Sequence, residues 1–256
     1  MGNEGKSIKL YDSLQGTWDK SDRQNYQNAF WRKCGQIRDD GNLISRWIQK
    51  LSADTKNKTF LEIGTWNGLG STKVFAESLE SRNSDYIFYS LECNIDKSID
   101  AANLYSEYKN VHILNEVLFN KMPSDFNEIY PDVVSYEYLI NFNHLGITRQ
   151  RNIRKHGMSD HWNKVDFVNM ENCKLFLDRD NLPDIFDVVL LDGGVYTTYF
   201  DFQILKNKCN YLLLDDIKIA KNKKIVEIIK DNFTYWDILE EDLSSRNGHL
   251  VCKRIV

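Results

Sequence analysis

The stretch TFLEIGTWNGLGST, Thr59 to Thr72, constrains this chain more than any other part of it. An apolar run carrying one acid, Glu62, reaches Gly64, Gly68 and Gly70, and two hydroxyl residues, Ser71 and Thr72, follow. Glycine adopts backbone conformations closed to other residues and lets the chain pass close to a ligand. The first amides of a helix lack partners within it and receive negative groups well. The pattern therefore predicts a buried strand, a tight ligand-holding turn and a helix.

The same rhythm continues. "YIFYSLE" reads as a second strand ending in Glu92, "IDKSIDAANLYSEY" as a second helix and "VHILNEVLF" as a third strand. Further on, "FDVVLLDGG" and "NYLLLDDI" are apolar throughout, as central parallel strands buried on both faces are. Helical patterns follow them in "TTYFDFQILKNKC" and "NKKIVEIIKDNF". The tail differs: two alternating strands flank "RNG", and Asn-Gly is a strong hairpin signal. The expected class is α/β, a Rossmann-like doubly wound sheet, mostly parallel, with a C-terminal antiparallel hairpin and a helical insertion.

Residues 1–57 read as an N-terminal arm and one or two helices, and 58–256 as a single domain. The insertion, at about 120–163, is too long for a plain connection. It forms either an acceptor-side wall or a structural helical excursion. Its basic run "RQRNIRK" is either a solvated face or a contact for an anionic acceptor, and His144, His156 and His161 are open to both readings.

Composition narrows the partners. In 256 residues, 33 Lys and Arg against 37 Asp and Glu give a net charge of −4, so nucleic acid is not an expected partner. No apolar run reaches the roughly 18 residues of a membrane helix, and no signal-peptide core opens the chain. Five cysteines without CxxC spacing read as reduced thiols in a cytoplasmic protein. A homo-oligomer is compatible with everything in the sequence.

Three ligands compete for the glycine turn. GxxxxGK[ST], the phosphate loop, is absent, and so is the dinucleotide pattern GxGxxG, because Lys73 stands where its last glycine belongs. Glu92, ending the second strand, suits a ribose diol that donates two hydrogen bonds, although a surface acid ending a strand is the plainer reading. Ser71 and Thr72 can help the helix amides receive a carboxylate, and Glu62 can answer an ammonium group. A ligand with ribose, carboxylate and ammonium but no phosphate is S-adenosylmethionine. Thr65, Trp66 and Asn67 either touch it or serve the turn's dihedrals. Asn115 reaches the adenine edge or caps its strand.

At this point a resemblance enters. "LEIGTWNGLGST" with "YSLE" resembles the first two motifs of class I S-adenosylmethionine-dependent methyltransferases. "LLDGGVYTTYFDFQIL", "LLLDDIKIAKNK" and "RNGHLVCKR" resemble a subgroup of macrocin-type sugar O-methyltransferases and cephalosporin-hydroxylase-like proteins. The resemblance spans Lys58 to Val256 apart from the insertion. It implies methyl transfer to an oxygen of a small polar acceptor, a sugar or a surface-polysaccharide or secondary-metabolite precursor.

It implies that Glu62, Gly64, Gly68, Ser71 and Glu92 bind the cofactor, with Asp192 close by. Asp192, Asp215 and Asp216 match a divalent-metal set, whose oxygen-only ligands suit Mg²⁺ or Ca²⁺. Helix capping is the alternative reading of these aspartates. Asp192, Asp216 and Tyr196 are the candidates for activating the acceptor, although Tyr196 also fits the start of a helix. Relatives carry a histidine three residues after the first aspartate, and Val195 stands there, so the general base is open. Two rival functions are a non-catalytic S-adenosylmethionine-binding subunit and a nicotinamide-dependent oxidoreductase.

Overall fold

The computed structural model describes residues 42–130, 166–245 and 247–255. Alternation within its strands decides the architecture, because successive side chains point to opposite faces of a sheet. In β1 (Thr59–Ile63) Phe60 faces one side, and Leu61 and Ile63 the other. In β6 (Phe186–Leu191) Val188 and Leu190 share the side of Phe60, and Val189 and Leu191 that of Leu61. Strands with apolar residues on both faces need a helical layer on each, and the chain supplies two.

Under Phe60 lie α1 (Leu43–Ala53), through Ile44, Ile48 and Leu51, and α2 (Ser71–Glu80), through Val74, Phe75 and Leu79. Asn42 caps α1 by accepting from the Ser45 N–H at 2.9 Å, which fixes where this helix begins. Under Leu61 lie α5 (Thr198–Leu205), through Phe202 and Leu205, and α6 (Ala220–Asp231), through Ile225 and Ile229. Each fully buried Leu, Ile or Phe contributes about 1.5–3 kcal/mol, so these two layers hold the sheet.

Seven strands run in the order β3-β2-β1-β6-β7-β9-β8, with β2 (Ile87–Leu91), β3 (Val111–Leu114), β7 (Cys209–Asp215), β8 (Trp236–Asp242) and β9 (His249–Arg254). The first five are parallel, and β9 runs antiparallel to both β7 and β8. The order reverses between β1 and β6, so the connections leave in opposite directions and open a crevice at the carboxyl ends of those strands. The doubly wound sheet with its terminal hairpin is the expected architecture. Its loop is longer than the two-residue turn that Asn-Gly suggests, since Asp242 and His249 are the last paired residues.

The third strand departs from expectation. "VHILNEVLF" divides at Asn115, and β4 (Glu116–Val117) pairs instead with β5 (Lys174–Leu175) in a separate parallel ladder. After it come α4 (Phe126–Ile129) and a helical stretch at 166–170. Phe126, Tyr130, Phe167, Met170 and Phe200 form a third apolar cluster above the crevice. Residues 131–163 of the expected insertion, with its histidines and basic run, and residues 1–41 lie outside the described residues. Among the described residues no helix is long and apolar enough to cross a membrane.

Candidate functional site

A cleft of about 340 Å³ opens at the carboxyl ends of β1, β2 and β6. Its floor is the glycine turn. Gly64 has φ +103°, and a Cβ there would meet the Asp192 carbonyl carbon at 2.7 Å and the Gly193 nitrogen at 3.0 Å. Only glycine lets β1 and β6 approach this closely at their ends. Gly68, at φ +76°, is held by Tyr105, whose hydroxyl donates to its carbonyl. Trp66 also takes a left-handed conformation, φ 53°, which costs a bulky residue energy and marks a turn held for a purpose.

Glu92 follows β2 and lines the cleft, although only 7% exposed. Its carboxylate accepts from the Trp66 N–H at 2.7 Å and the Asn94 N–H at 2.9 Å. Asn94 in turn caps α3 (Ile95–Leu104) by accepting from the Lys97 N–H at 3.1 Å. Burial pushes the Glu92 pKa up to about 7, against the pull of the two backbone N–H groups. Asp166 stands nearby, pushed up to about 8 by burial and then by Glu92. The Cys93 thiol lies between them, 3.8 Å from Glu92 and 3.7 Å from Asp166.

Glu62 has another place. Lying between Leu61 and Ile63, it points to the opposite face, where the hydroxyls of Ser71, Thr72 and Ser90 all donate to it. It is fully buried and does not line the cleft. It anchors the start of α2 to the sheet, and Ser71, which donates to it, stands between it and the cleft. Asn115 is a brace, donating to the carbonyls of Glu92 at 2.8 Å and Cys93 at 3.0 Å. Asn67 closes its own turn by accepting from the Leu69 N–H at 3.2 Å. Neither lines the cleft, whereas Gly64, Thr65, Trp66, Ser71, Glu92, Asp192 and Asp216 do.

On the far side the three aspartates converge, each offering an oxygen within 4.8 Å of the others. Asp215 sits below the cleft, paired with His249 Nε2 at 2.9 Å, and that bond with the nearby Lys221 holds its pKa below the ordinary value despite burial. Asp216, in a left-handed turn at φ 60°, accepts from Asn247 at 2.7 Å. Lys221 completes the group. Its ammonium bonds to Asp192 and lies 3.7 Å from Asp216, and the side chain is only 4% exposed. Burial works against its charge, yet Asp192, Asp216 and Asp215 outweigh it and hold the Lys221 pKa above the ordinary value. An ammonium is thus built into the donor set a divalent ion would need, and this set does not fit such an ion unless Lys221 leaves.

Tyr196 packs instead against Tyr130 and Phe126, at ring distances of 5.2 and 6.4 Å, in the apolar cluster above the cleft. Asp201 reaches the cleft from α5, buried and pushed up to about 8.

Placing a glycine turn, a strand-end acid and a closing antiparallel strand on one sheet invites comparison with solved structures. A putative O-methyltransferase from Klebsiella pneumoniae matches with a TM-score of 0.51 and 12% identity, over 98% of this chain and 97% of that one. The cofactor-bound protein Rv0187 from MTB matches at 0.50 and 11%, over 99% and 98%. This is the class I methyltransferase fold. No family model and no curated protein matches the sequence.

Within that fold, Asp166, Asp201, Glu116 and Lys221 are cleft residues that sequence reasoning did not select. Lys221 stands five residues after Asp216, as the second residue of the helix that the aspartates precede, a spacing that does not by itself point to Asp192. Asp201 had a signal, as a lone acid in the apolar run "YFDFQIL". Asp166 had none, because it sits past the insertion that interrupts the fold.

Proposed function

We propose that the protein is an S-adenosylmethionine-dependent O-methyltransferase acting on a small polar acceptor, a sugar or similar hydroxylated precursor. One observation carries this: a buried carboxylate, Glu92, lines the cleft beside, and bonded to, a glycine turn that only a Cβ-free residue can form against Asp192. A ribose diol donates to such a carboxylate, and the open amides at the start of α2 suit the carboxylate of an amino acid. A cleft of about 340 Å³ is also within the usual size of small-molecule sites. The cofactor, when bound, supplies an electrophilic methyl group.

The chain's part is mainly positioning, which for a displacement is worth a large share of the barrier. Trp66 and Glu92 define one end of the cleft, and Asp192, Asp216 and Lys221 the other. An acceptor hydroxyl beside Asp192 has a carboxylate within reach for its proton. Glu92, Glu116, Asp166, Asp192, Asp201 and Asp216 line the cleft with a single lysine. Because Glu116 is paired with Arg179 at 2.6 Å while burial pushes Asp166 and Asp201 up to about 8, this carboxyl-rich lining supports a neutral, hydroxylated acceptor over an anionic one and over nucleic acid.

Labelled S-adenosylmethionine with pooled sugars, phenols and amino compounds tests the proposal. Label in a hydroxylated acceptor is the expected result. Tight binding of S-adenosylhomocysteine with no transfer to any acceptor supports the non-catalytic subunit, and preference for NAD supports the oxidoreductase.

A further inference from the structure

Divalent Mg²⁺ or Ca²⁺ needs about six oxygens or more around it, with room for water. Asp192, Asp215 and Asp216 offer the start of such a shell, and among the described residues they are the group that comes close enough. One oxygen of each is already engaged within the protein. Asp215 accepts from His249 and from the Asp216 N–H at 2.8 Å, and Asp216 accepts from Asn247. The cation among them is Lys221, bonded to Asp192 and 3.7 Å from Asp216.

The position of Lys221 is informative because local preferences oppose it. It is the second residue of α6, where the helix end carries partial positive charge and favours acids. It is also 96% buried, where a lysine without partners is strongly disfavoured. Neither a helix-capping nor a solvent-facing role explains a lysine there. Neutralising three carboxylates does.

We infer that Lys221 is the resident cation of this site, standing in place of a divalent metal ion. An ammonium and a doubly charged ion repel at this spacing, and both compete for the Asp192 carboxylate. The protein therefore takes up no Mg²⁺, Mn²⁺ or Ca²⁺ at the aspartates. Lys221 orients Asp192 and Asp216 toward the cleft as a positioning residue. Its catalytic consequence, methyl transfer that survives exhaustive chelation, rests on the function proposed above. The binding claim does not.

The test is Mn²⁺ uptake by the chelator-stripped full chain, read by equilibrium dialysis and by the spin-resonance signal of free Mn²⁺, for wild type and for Lys221→Met. Wild type takes up no Mn²⁺ at these aspartates, and its melting temperature does not move on adding Mn²⁺ or Ca²⁺. Lys221→Met melts lower, binds one equivalent and regains several degrees with the ion, because a ligand held only by the native state stabilises it. Should the variant fold only when refolded into Mn²⁺, that rescue counts equally as support. Stoichiometric uptake by wild type, lost in Asp192→Asn, overturns the inference. So does a Lys221→Met protein that takes up none, or that no ion rescues. These readouts involve no methyl transfer, so an inactive protein leaves them intact, and failure here leaves the transfer assay standing.

Discussion

Glu92 and Asp192 both end central strands and both line the cleft, yet the molecule treats them in opposite ways. Glu92 is held by neutral donors, the backbone N–H groups of Trp66 and Asn94. Asp192 is held by a buried ammonium from another element, Lys221. A carboxylate whose hydrogen-bond donors are neutral backbone groups keeps lone pairs for a ligand's hydroxyls and titrates within reach of neutral pH. A carboxylate bonded to a buried ammonium is fixed in direction, although burial still holds the Asp192 pKa above the ordinary value against the pull of Lys221. One end of the cleft is built to exchange partners, and the other to hold still.

The sharpest way to break this arrangement is at Gly64, where the two ends meet. Gly64→Ala places a methyl group against the Asp192 carbonyl in a left-handed conformation. Overpacking and the left-handed penalty together predict a loss of about 2–5 kcal/mol. Denaturant unfolding measures it, and a variant as stable as wild type would show that β1 and β6 are not in the contact described.

Next in size, the two acids should separate by phenotype. Glu92→Ala should weaken S-adenosylhomocysteine binding by about 1–3 kcal/mol, roughly fivefold to 150-fold, as expected for lost hydrogen bonds to a charged group. Asp192→Asn should lower stability by a similar ~1–3 kcal/mol, the scale of a weakened bond to a charged group, because Asp216 and Asp215 still face Lys221, and should change cofactor affinity less. Calorimetric titration and melting on both variants decide it. Equal effects of both variants in both measurements would erase the contrast.

What the sequence disclosed follows the same division. The glycine turn, the acid ending β2 and the hairpin are local patterns, legible because a strand–turn–helix unit is specified by residues close in sequence. The doubly wound class followed from the same periodicities, whereas the order of the strands is set by pairings between distant segments. Glu62 was assigned to the cleft because it adjoins the turn, but strand alternation turns it away, toward Ser71, Thr72 and Ser90. Lys221 was passed over for the complementary reason. It meets Asp192 across 29 positions, from a neighbouring strand's following helix, and no local spacing encodes that meeting. Motifs report backbone devices well and the electrostatic partners of a carboxylate poorly.

The smallest predicted effect is a pH dependence, and it tests the exchangeable end directly. Burial raises the Glu92 pKa to about 7, so the unliganded carboxyl is mostly neutral at pH 6 and mostly ionised at pH 8. A ribose diol donates to the ionised form, so affinity for S-adenosylhomocysteine should rise through this window by about tenfold. Stability runs the other way. The folded pKa lies above the ordinary 4.5, so the contribution to stability is full below pH 4.5 and is lost as pH climbs through about 7. The unliganded melting temperature should therefore fall while the shift produced by ligand grows. Other groups face Glu92: Asp166, pushed up to about 8, the raised thiols of Cys93 and Cys173, and the Lys97 ammonium. Glu92→Gln isolates its share, because glutamine keeps an acceptor for the diol and cannot titrate. In that variant the affinity profile should flatten between pH 6 and 8, leaving the residual slope from Asp166. A profile as steep as wild type would assign the titration to Asp166 and leave Glu92 a structural acid, held by its two backbone donors.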